Sequence, residues 1–293
     1  MKAKKKSKMD VFTLILMIFL ITYALSILFM LAWGAMTSFK SINNFDLDGV
    51  GFPTEFTFEN YANVITNLPY TIQKYGKEIT VDFGTQLYNT LVTVVGGALL
   101  ATLSPCIMAY CSAIYKCKFS SLIYWVVLTT MMLPIVSGYA SEMQLVRGIG
   151  MYDNLYASLI FKLSFLGMYF LVFHAAFKSV GKEYFEAAKI DGANDYVIFF
   201  RIILPLVRNM FFTIFLLKFI LFWNDYQTPL LYLPTHPTLS LGAYDLRTNT
   251  SATLAGEPAQ MAICMIMMIP VLVLFISFRK MIMGNISMGG VKE

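Results

Sequence analysis

Residues 183–205 read EYFEAAKIDGANDYVIFFRIILP, a charged interlude between long apolar runs. Tyr184, Ala187, Ala188 and Asp191 fall within two helical turns, and the small alanines let another surface approach the backbone closely. Gly192 suits a left-handed stop, which residues carrying a Cβ adopt reluctantly. Asn194 or Asp195 can cap a second helix, on which Ala193, Val197, Phe200 and Leu204 recur at helical spacing. The stretch therefore reads as two short helices with a break, offering a small apolar face and the acids Glu183, Glu186, Asp191 and Asp195. Taken alone, it is equally a solvated amphipathic hairpin or a docking element.

The surroundings decide between these. Of 293 residues, 58% are hydrophobic and only 13% are charged. A soluble domain does not tolerate that balance, so the chain is expected to be an integral membrane protein. Cys106, Cys111, Cys117 and Cys264 lie in or beside apolar runs without metal spacing, and read as small packing residues. His174 and His236 are too few for a histidine-based metal cluster and read as structural, so no metal site is expected.

Five lysines (Lys2, Lys4, Lys5, Lys6 and Lys8) precede an uncharged run over residues 11–33. At 23 residues this run exceeds the apolar core of a secretory signal, about 7–15 residues, and reads as an uncleaved first span with its amino end in the cytoplasm. A polar, Gly- and Pro-punctuated segment over 37–86 is placed outside. Further spans are expected over 87–115, 122–139, 156–177, 206–231 and 261–282. In the second of the six, Asn89, Thr90, Gly96, Gly97 and Ser104 offer small or hydrogen-bonding packing surfaces, and Pro105 is expected to kink it.

Charge bias tests this topology independently. The amino-terminal lysines, Lys116 and Lys118, the cations from Lys178 to Arg208, and Arg279, Lys280 and Lys292 fall inside. Lys40, Lys74, Lys77, Arg147 and Arg247 fall outside, leaving Lys162 and Lys218 within spans. The positive-inside rule is obeyed, so the formal charge of +5 reflects topology and makes no case for nucleic acid. Lys218, in mid-span, costs about 2.5–3.5 kcal/mol on insertion scales and should face protein or water, whereas Lys162 reads as snorkelling to the outer interface.

The anchors Glu186-Ala187-Ala188, Gly192, Ile202 and Leu204-Pro205 resemble, at every spacing, the EAA signature of ATP-binding-cassette importer permeases. In that family the stretch is the coupling helix, a cytoplasmic element docked on a separate ATPase. The resemblance therefore implies an ATPase interface made of Glu183, Glu186, Ala187, Ala188, Asp191, Gly192, Ile202, Leu204 and Pro205. Three weaker segments are similar to the carbohydrate branch of the family. They are FPTEFTFENYANVI over 52–65, the cluster Trp223-Asn224-Asp225-Tyr226-Gln227 followed by Pro229-Leu230-Leu231, and the ending Gly289-Gly290-Val291-Lys292. The likeness is to the shorter, six-span half of the maltose-transport class. It implies an all-α integral membrane protein with six transmembrane helices and a cytoplasmic coupling helix, the type I ABC importer permease fold. The implied order is a basic tail (1–10), a first span (11–34), an extracytoplasmic segment (37–86), a core of five spans (87–283) and a cytoplasmic tail (284–293).

The implied partners are a homologous second permease, two ABC ATPase subunits, an extracytoplasmic solute-binding protein and membrane lipid. No ATP site is expected here, because neither Gly76-Lys77 nor Gly181-Lys182 completes a phosphate-cradling loop. ATP and magnesium would be handled by the partner, and this chain would be non-catalytic. A substrate path is expected at Lys218, Trp223, Asn224, Asp225, Tyr226 and Gln227, since aromatic faces pack on sugar rings while amides and carboxylates bond hydroxyls. The same cluster also reads as an interfacial aromatic belt. The loop containing Thr248, Asn249, Thr250, Ser251 and Gly256 is expected to touch the binding protein. Other polar cargo, such as amino acids or polyamines, would use the same coupling stretch. An ion-coupled secondary transporter would instead recruit Lys162, Lys218 and Glu142, but no convincing internal repeat supports it.

Overall fold

The computed structural model describes residues 10–68, 70–74, 77–115, 118–133, 138–248 and 256–286. Asn249, Thr250, Ser251, the amino-terminal lysines, Lys116, Cys117 and the Gly289-Gly290-Val291-Lys292 ending lie outside them. The chain divides into two units, residues 1–67 with 246–266, and residues 68–245 with 267–293.

The first unit begins with α1 (Val11–Thr37), whose 27 residues rise about 40 Å, enough to cross a bilayer. Its apolar side chains are exposed all round, as expected of a helix whose neighbours are lipid or other chains. Beyond it the chain folds back on itself. Ser41 caps α2 (Ile42–Leu47) by accepting from Asn44 N at 3.3 Å. Fully buried Lys40 donates to the Asp48 carbonyl at 2.6 Å. The backbone N–H groups of Gly51 and Val50 hold the Asp48 carboxyl below its usual range. Asn60, on α3 (Glu59–Asn67), donates to the carbonyls of Ser38 and Lys40 at 2.8 and 2.7 Å. Phe39 meets the rings of Tyr61, Phe58 and Phe56 at 5.2, 5.3 and 6.2 Å. The aromatic and amide content of 52–65 thus ties this segment to the end of α1.

The second unit opens with an exception to the all-helical expectation, an antiparallel pair of β1 (Tyr70–Lys74) and β2 (Lys77–Val81), with Tyr70 opposite Val81. Buried Gln86 of α4 (Phe83–Leu91) donates to the carbonyls of Leu68 and Val81 at 2.9 and 3.1 Å, closing the hairpin's open end. A π-helical turn over Val92–Gly96 joins α4 to α5 (Gly97–Ile114), making one 32-residue span that runs on through Pro105. Next come α6 (Lys118–Met132) and α7 (Tyr139–Gly148), so the third expected span, 122–139, ends its helix early. The fourth, expected as one helix over 156–177, is broken. A single turn, α8 (Ser158–Phe161), is separated from α9 (Met168–Ser179) by an unwound stretch with Gly167 at φ +137°.

The coupling region holds α10 (Lys182–Ile190), α11 (Asp195–Val197), a π-helical segment Ile198–Ile203 and α12 (Leu204–Leu206). At Val207 the chain turns by 82° into α13 (Arg208–Trp223), and a further break precedes α14 (Gln227–Tyr232). The fifth expected span, 206–231, is therefore one 16-residue helix with a bent entry and an unwound exit. Two helices remain, α15 (Leu239–Thr248) and α16 (Glu257–Ile286), the latter carrying the sixth span. Among the described residues, three helices are individually long and apolar enough to cross a membrane, and the bent pair around Val207 makes a fourth candidate.

The unwound backbone needs partners that lipid cannot supply. Span two provides them. Ser104 Oγ accepts from Ser164 N in the fourth-span break at 3.0 Å. Asn89 donates to the Pro237 carbonyl at 2.9 Å, and Thr90 accepts from Leu239 N at 2.8 Å. Ser104 and Asn89 thus bind non-helical backbone, and Thr90 binds the first N–H of α15.

Candidate functional site

The sequence builds the coupling element locally. Gly192 adopts φ +76° after α10, and Ala193 N donates to Ala188 O at 3.0 Å, the closure of a glycine-terminated helix. Asn194 caps α11, accepting from Val197 N at 2.9 Å. One face of the element is committed inward. Ala188, Ile198, Phe199 and Ile203 share a core with Cys106, Ala109 and Tyr110 of α5 and Phe170, Phe173 and Phe177 of α9. Ile202 and Leu204 pack against that core. The Tyr110 ring meets those of Phe199 and Phe177 at 4.8 and 5.7 Å. The opposite face is open: Glu183, Tyr184, Glu186, Ala187, Asp191, Gly192 and Pro205 are exposed, and Ile190 is 86% exposed. Of the nine residues expected at an ATPase interface, six thus lie on the open face, while Ala188, Ile202 and Leu204 connect the element to the spans. Lys189 pairs with Asp195 across the glycine break and holds that carboxyl below the usual carboxylate range.

The second polar region lies where α13 unwinds. Lys162, in the fourth-span break, donates to Asp225 Oδ2 at 3.0 Å, the two side chains being 13% and 21% exposed. Its ammonium also sits 4.2 Å from the centre of the Phe222 ring. Lys162 therefore does not snorkel; it is held by a carboxylate from the break between α13 and α14. Gly97 makes this possible, because a Cβ there would lie 3.2 Å from Lys162 Cγ and 3.4 Å from the Phe222 ring. Asp225 Oδ1 accepts from Thr228 N at 3.0 Å, and its carbonyl accepts from Ser240 Oγ at 2.8 Å.

A cavity of about 460 Å³ opens beside this pair, lined by Tyr139, Lys162, Phe222, Asn224, Asp225, Tyr226, Gln227, Thr228 and Tyr232. Its size lies within the ~300–1,000 Å³ of small-molecule sites. A smaller one of about 120 Å³, lined in part by Tyr139, Glu142, Lys162 and Tyr232, adjoins those residues. The expected path residues divide here. Asn224, Asp225, Tyr226 and Gln227 line the larger cavity, Tyr226 already stacking on Tyr244 at 4.3 Å. Trp223 does not: it is 2% exposed, stacks on Phe219 at 5.5 Å and donates its indole N–H to the Met267 carbonyl at 2.9 Å. Lys218 is half-buried, its ammonium 4.7 Å from the Tyr169 ring centre.

Sequence reading missed Tyr139, Tyr232, Thr228 and the pairing of Lys162. The one available signal was Lys162 itself, an intramembrane cation that had to be neutralised by something. The histidines behave structurally. His174 is buried and stacks on Phe170 at 5.7 Å, while His236 and Thr235 meet Asp153, whose φ of +56° is fixed by this clamp between two loops. Of the binding-protein loop, Thr248 ends α15 and Gly256 precedes α16.

Residues 85–286 match the family described as binding-protein-dependent transport system inner membrane component. The chain belongs to that family. It is thus a permease of ABC transport systems, a membrane component that works with an ATPase and a solute-binding protein. The permease is 26% identical, over the full length of both chains, to the melibiose/raffinose/stachyose import permease protein of Bacillus subtilis. It is 25% identical to the diacetylchitobiose uptake system permease protein of Streptomyces coelicolor, covering 92% of this chain and 86% of that one. In fold it is similar to a chain from the crystal structure of a bacterial ABC transporter involved in the import of the acidic polysaccharide alginate. The TM-score there is 0.74 at 22% identity, covering 92% of this chain and 96% of that one.

Proposed function

We propose that this permease is a transmembrane subunit of an ATP-driven importer for a sugar or oligosaccharide, with both termini in the cytoplasm. A homologous second permease, two ATPase subunits that hold ATP and magnesium, and an extracytoplasmic binding protein complete the complex. The observation that carries this reading is the two-faced coupling element. Its open face offers acids, small residues and unpartnered Tyr184 and Ile190 to a partner, while its inner face is packed on α5 and α9. A partner that closes on ATP can therefore move the spans by moving the docked element. Relatives that import melibiose, diacetylchitobiose and arabinooligosaccharides support the carbohydrate cargo. The cavity lined by Asn224, Asp225, Tyr226 and Gln227 is read as this half's part of the path, and the loop from Thr248 to Gly256 as its contact with the binding protein.

The test is a mild-detergent pull-down from native membranes. The expected result is recovery of a P-loop ATPase and a second permease, with the ATPase lost in Glu186→Arg while the second permease is retained. Solute transport by this chain alone in liposomes without ATP would overturn the reading.

A further inference from the structure

Three helices of the second unit end around a further cavity, of about 650 Å³. Ser112 lies in the last turn of α5, Ser120 and Ser121 in the first turn of α6, and His174 and Lys178 in the closing turns of α9. Tyr124, one turn further along α6, completes the polar lining. The cavity therefore sits at the depth where apolar helices give way to their connections, on the side of the coupling element, whose first helix starts at Lys182. Two of the serines are spent on each other: Ser112 Oγ donates to the Ser120 carbonyl at 3.2 Å, and Ser120 Oγ to that of Ser112, fastening α5 to α6.

The other polar groups are donors in search of an acceptor. His174 is 5% exposed and, among the described residues, meets the rings of Tyr124 and Phe170 at 5.0 and 5.7 Å but forms no hydrogen bond. The Lys178 ammonium stands 5.7 Å from the centre of the Tyr124 ring, and among the described residues no carboxylate pairs with it or lines the cavity. A buried imidazole, an ammonium and the hydroxyls of Ser121 and Tyr124 thus gather round one space, the donor set of an anion site. Its surroundings are apolar. Ile114 and Phe177 line the rest of the cavity, and next to Ser121 and Tyr124 on α6 stand Leu122 and Trp125, 56% and 63% exposed. Phe177 also meets Tyr110, which meets Phe199, so one ring borders both the cavity and the core beneath the coupling element.

We propose that this cavity binds the phosphate headgroup of an anionic phospholipid, with Lys178 as the charge and His174, Ser121 and Tyr124 as hydrogen-bond donors. Basic pockets between membrane helices, at headgroup depth, are where such lipids are held. The acyl chains cover Leu122 and Trp125, which a soluble phosphate compound would leave bare. The site is separate from the cavity read as the cargo path and does not depend on that reading.

The test is native mass spectrometry of the permease purified in mild detergent with its bound partners. The probes are phosphatidylglycerol, phosphatidylcholine of the same chain length, whose choline brings a second cation, and glycerophosphoglycerol, the anionic headgroup without chains. Phosphatidylglycerol is expected to bind about tenfold more tightly than phosphatidylcholine, the lower end for a charge-assisted contact. Lys178→Gln should cut that preference about fivefold, the worth of one lysine at an anionic lipid surface. Lys178→Arg should keep most of it, which a merely misfolded variant would not do, and Lys280→Gln, on α16, should leave it unchanged. Equal binding of the two lipids, or a preference that survives Lys178→Gln, overturns the proposal. Binding of glycerophosphoglycerol that is lost in Lys178→Gln, with no preference between the lipids, also overturns it and marks a site for a soluble phosphate compound.

Discussion

Residues 183–205 and 223–232 are both polar islands in an apolar chain, yet they spend their polar groups differently. In the coupling element the bonds are local: Asn194 caps through Val197, Lys189 reaches Asp195, and Gly192 closes its own helix. In the second island the partners are distant in sequence. Asp225 holds Lys162, Trp223 holds the Met267 carbonyl, and Ser240 holds the Asp225 carbonyl. A locally bonded element keeps its outer face free for a partner protein. A cross-linked one has its free groups turned towards a cavity, because its other polar atoms fasten broken helices together.

The contrast can be broken most forcefully at Asp225. Asp225→Ala strands Lys162 against Phe222, and the expected loss is about 2–4 kcal/mol, the lower side of the range for a buried pair because part of both side chains is exposed. Thermal unfolding of the detergent-purified protein checks this. The double variant with Lys162→Met should recover much of the loss, and its failure to do so would mean that the pair does not hold the two breaks together.

A smaller effect is expected in the coupling element. Gly192→Ala forces a Cβ into the left-handed region and should cost about 1–2 kcal/mol. Since nothing crowds that position, the cost is conformational alone, and Gly192→Asn should be milder than Gly192→Ala. If alanine is as well tolerated as asparagine, the stop is not set by Gly192. The smallest effect is expected at Lys189. Its pair with Asp195 is exposed, and Lys189→Met should leave the unfolding midpoint within measurement error. Whatever the pair contributes follows Asp195, whose folded pKa is depressed. That contribution is present above the ordinary carboxylate pKa and is lost as pH falls through the lower folded value. A pH dependence of the coupling element centred near neutrality would contradict this.

How much was legible follows the same division. The glycine stop, the Asn194 cap and the two short helices could be read directly, since each depends on residues within one or two turns. The long apolar helices over 11–37, 83–114 and 257–281 were legible from apolar length, but the breaks at residues 162–167 and 224–226 were not. An unwound stretch inside a membrane is stabilised by whoever satisfies its backbone, and that partner, Ser104 for Ser164, lies 60 residues away. The hairpin of β1 and β2 was not legible because the clamp that closes it, Gln86, bonds backbone carbonyls of Leu68 and Val81, and carbonyls are the same at every position of a sequence.

The sequence by itself determined the class, the family and the local build of residues 183–205. Each of these follows from composition or short-range spacing. Only the tertiary structure decided that Trp223 is a packing residue, that Lys162 is paired with Asp225 and that Lys218 lies against the ring of Tyr169. Those outcomes depend on which segment brings a carbonyl, a carboxylate or a ring to each side chain, and one-dimensional spacing carries no record of that.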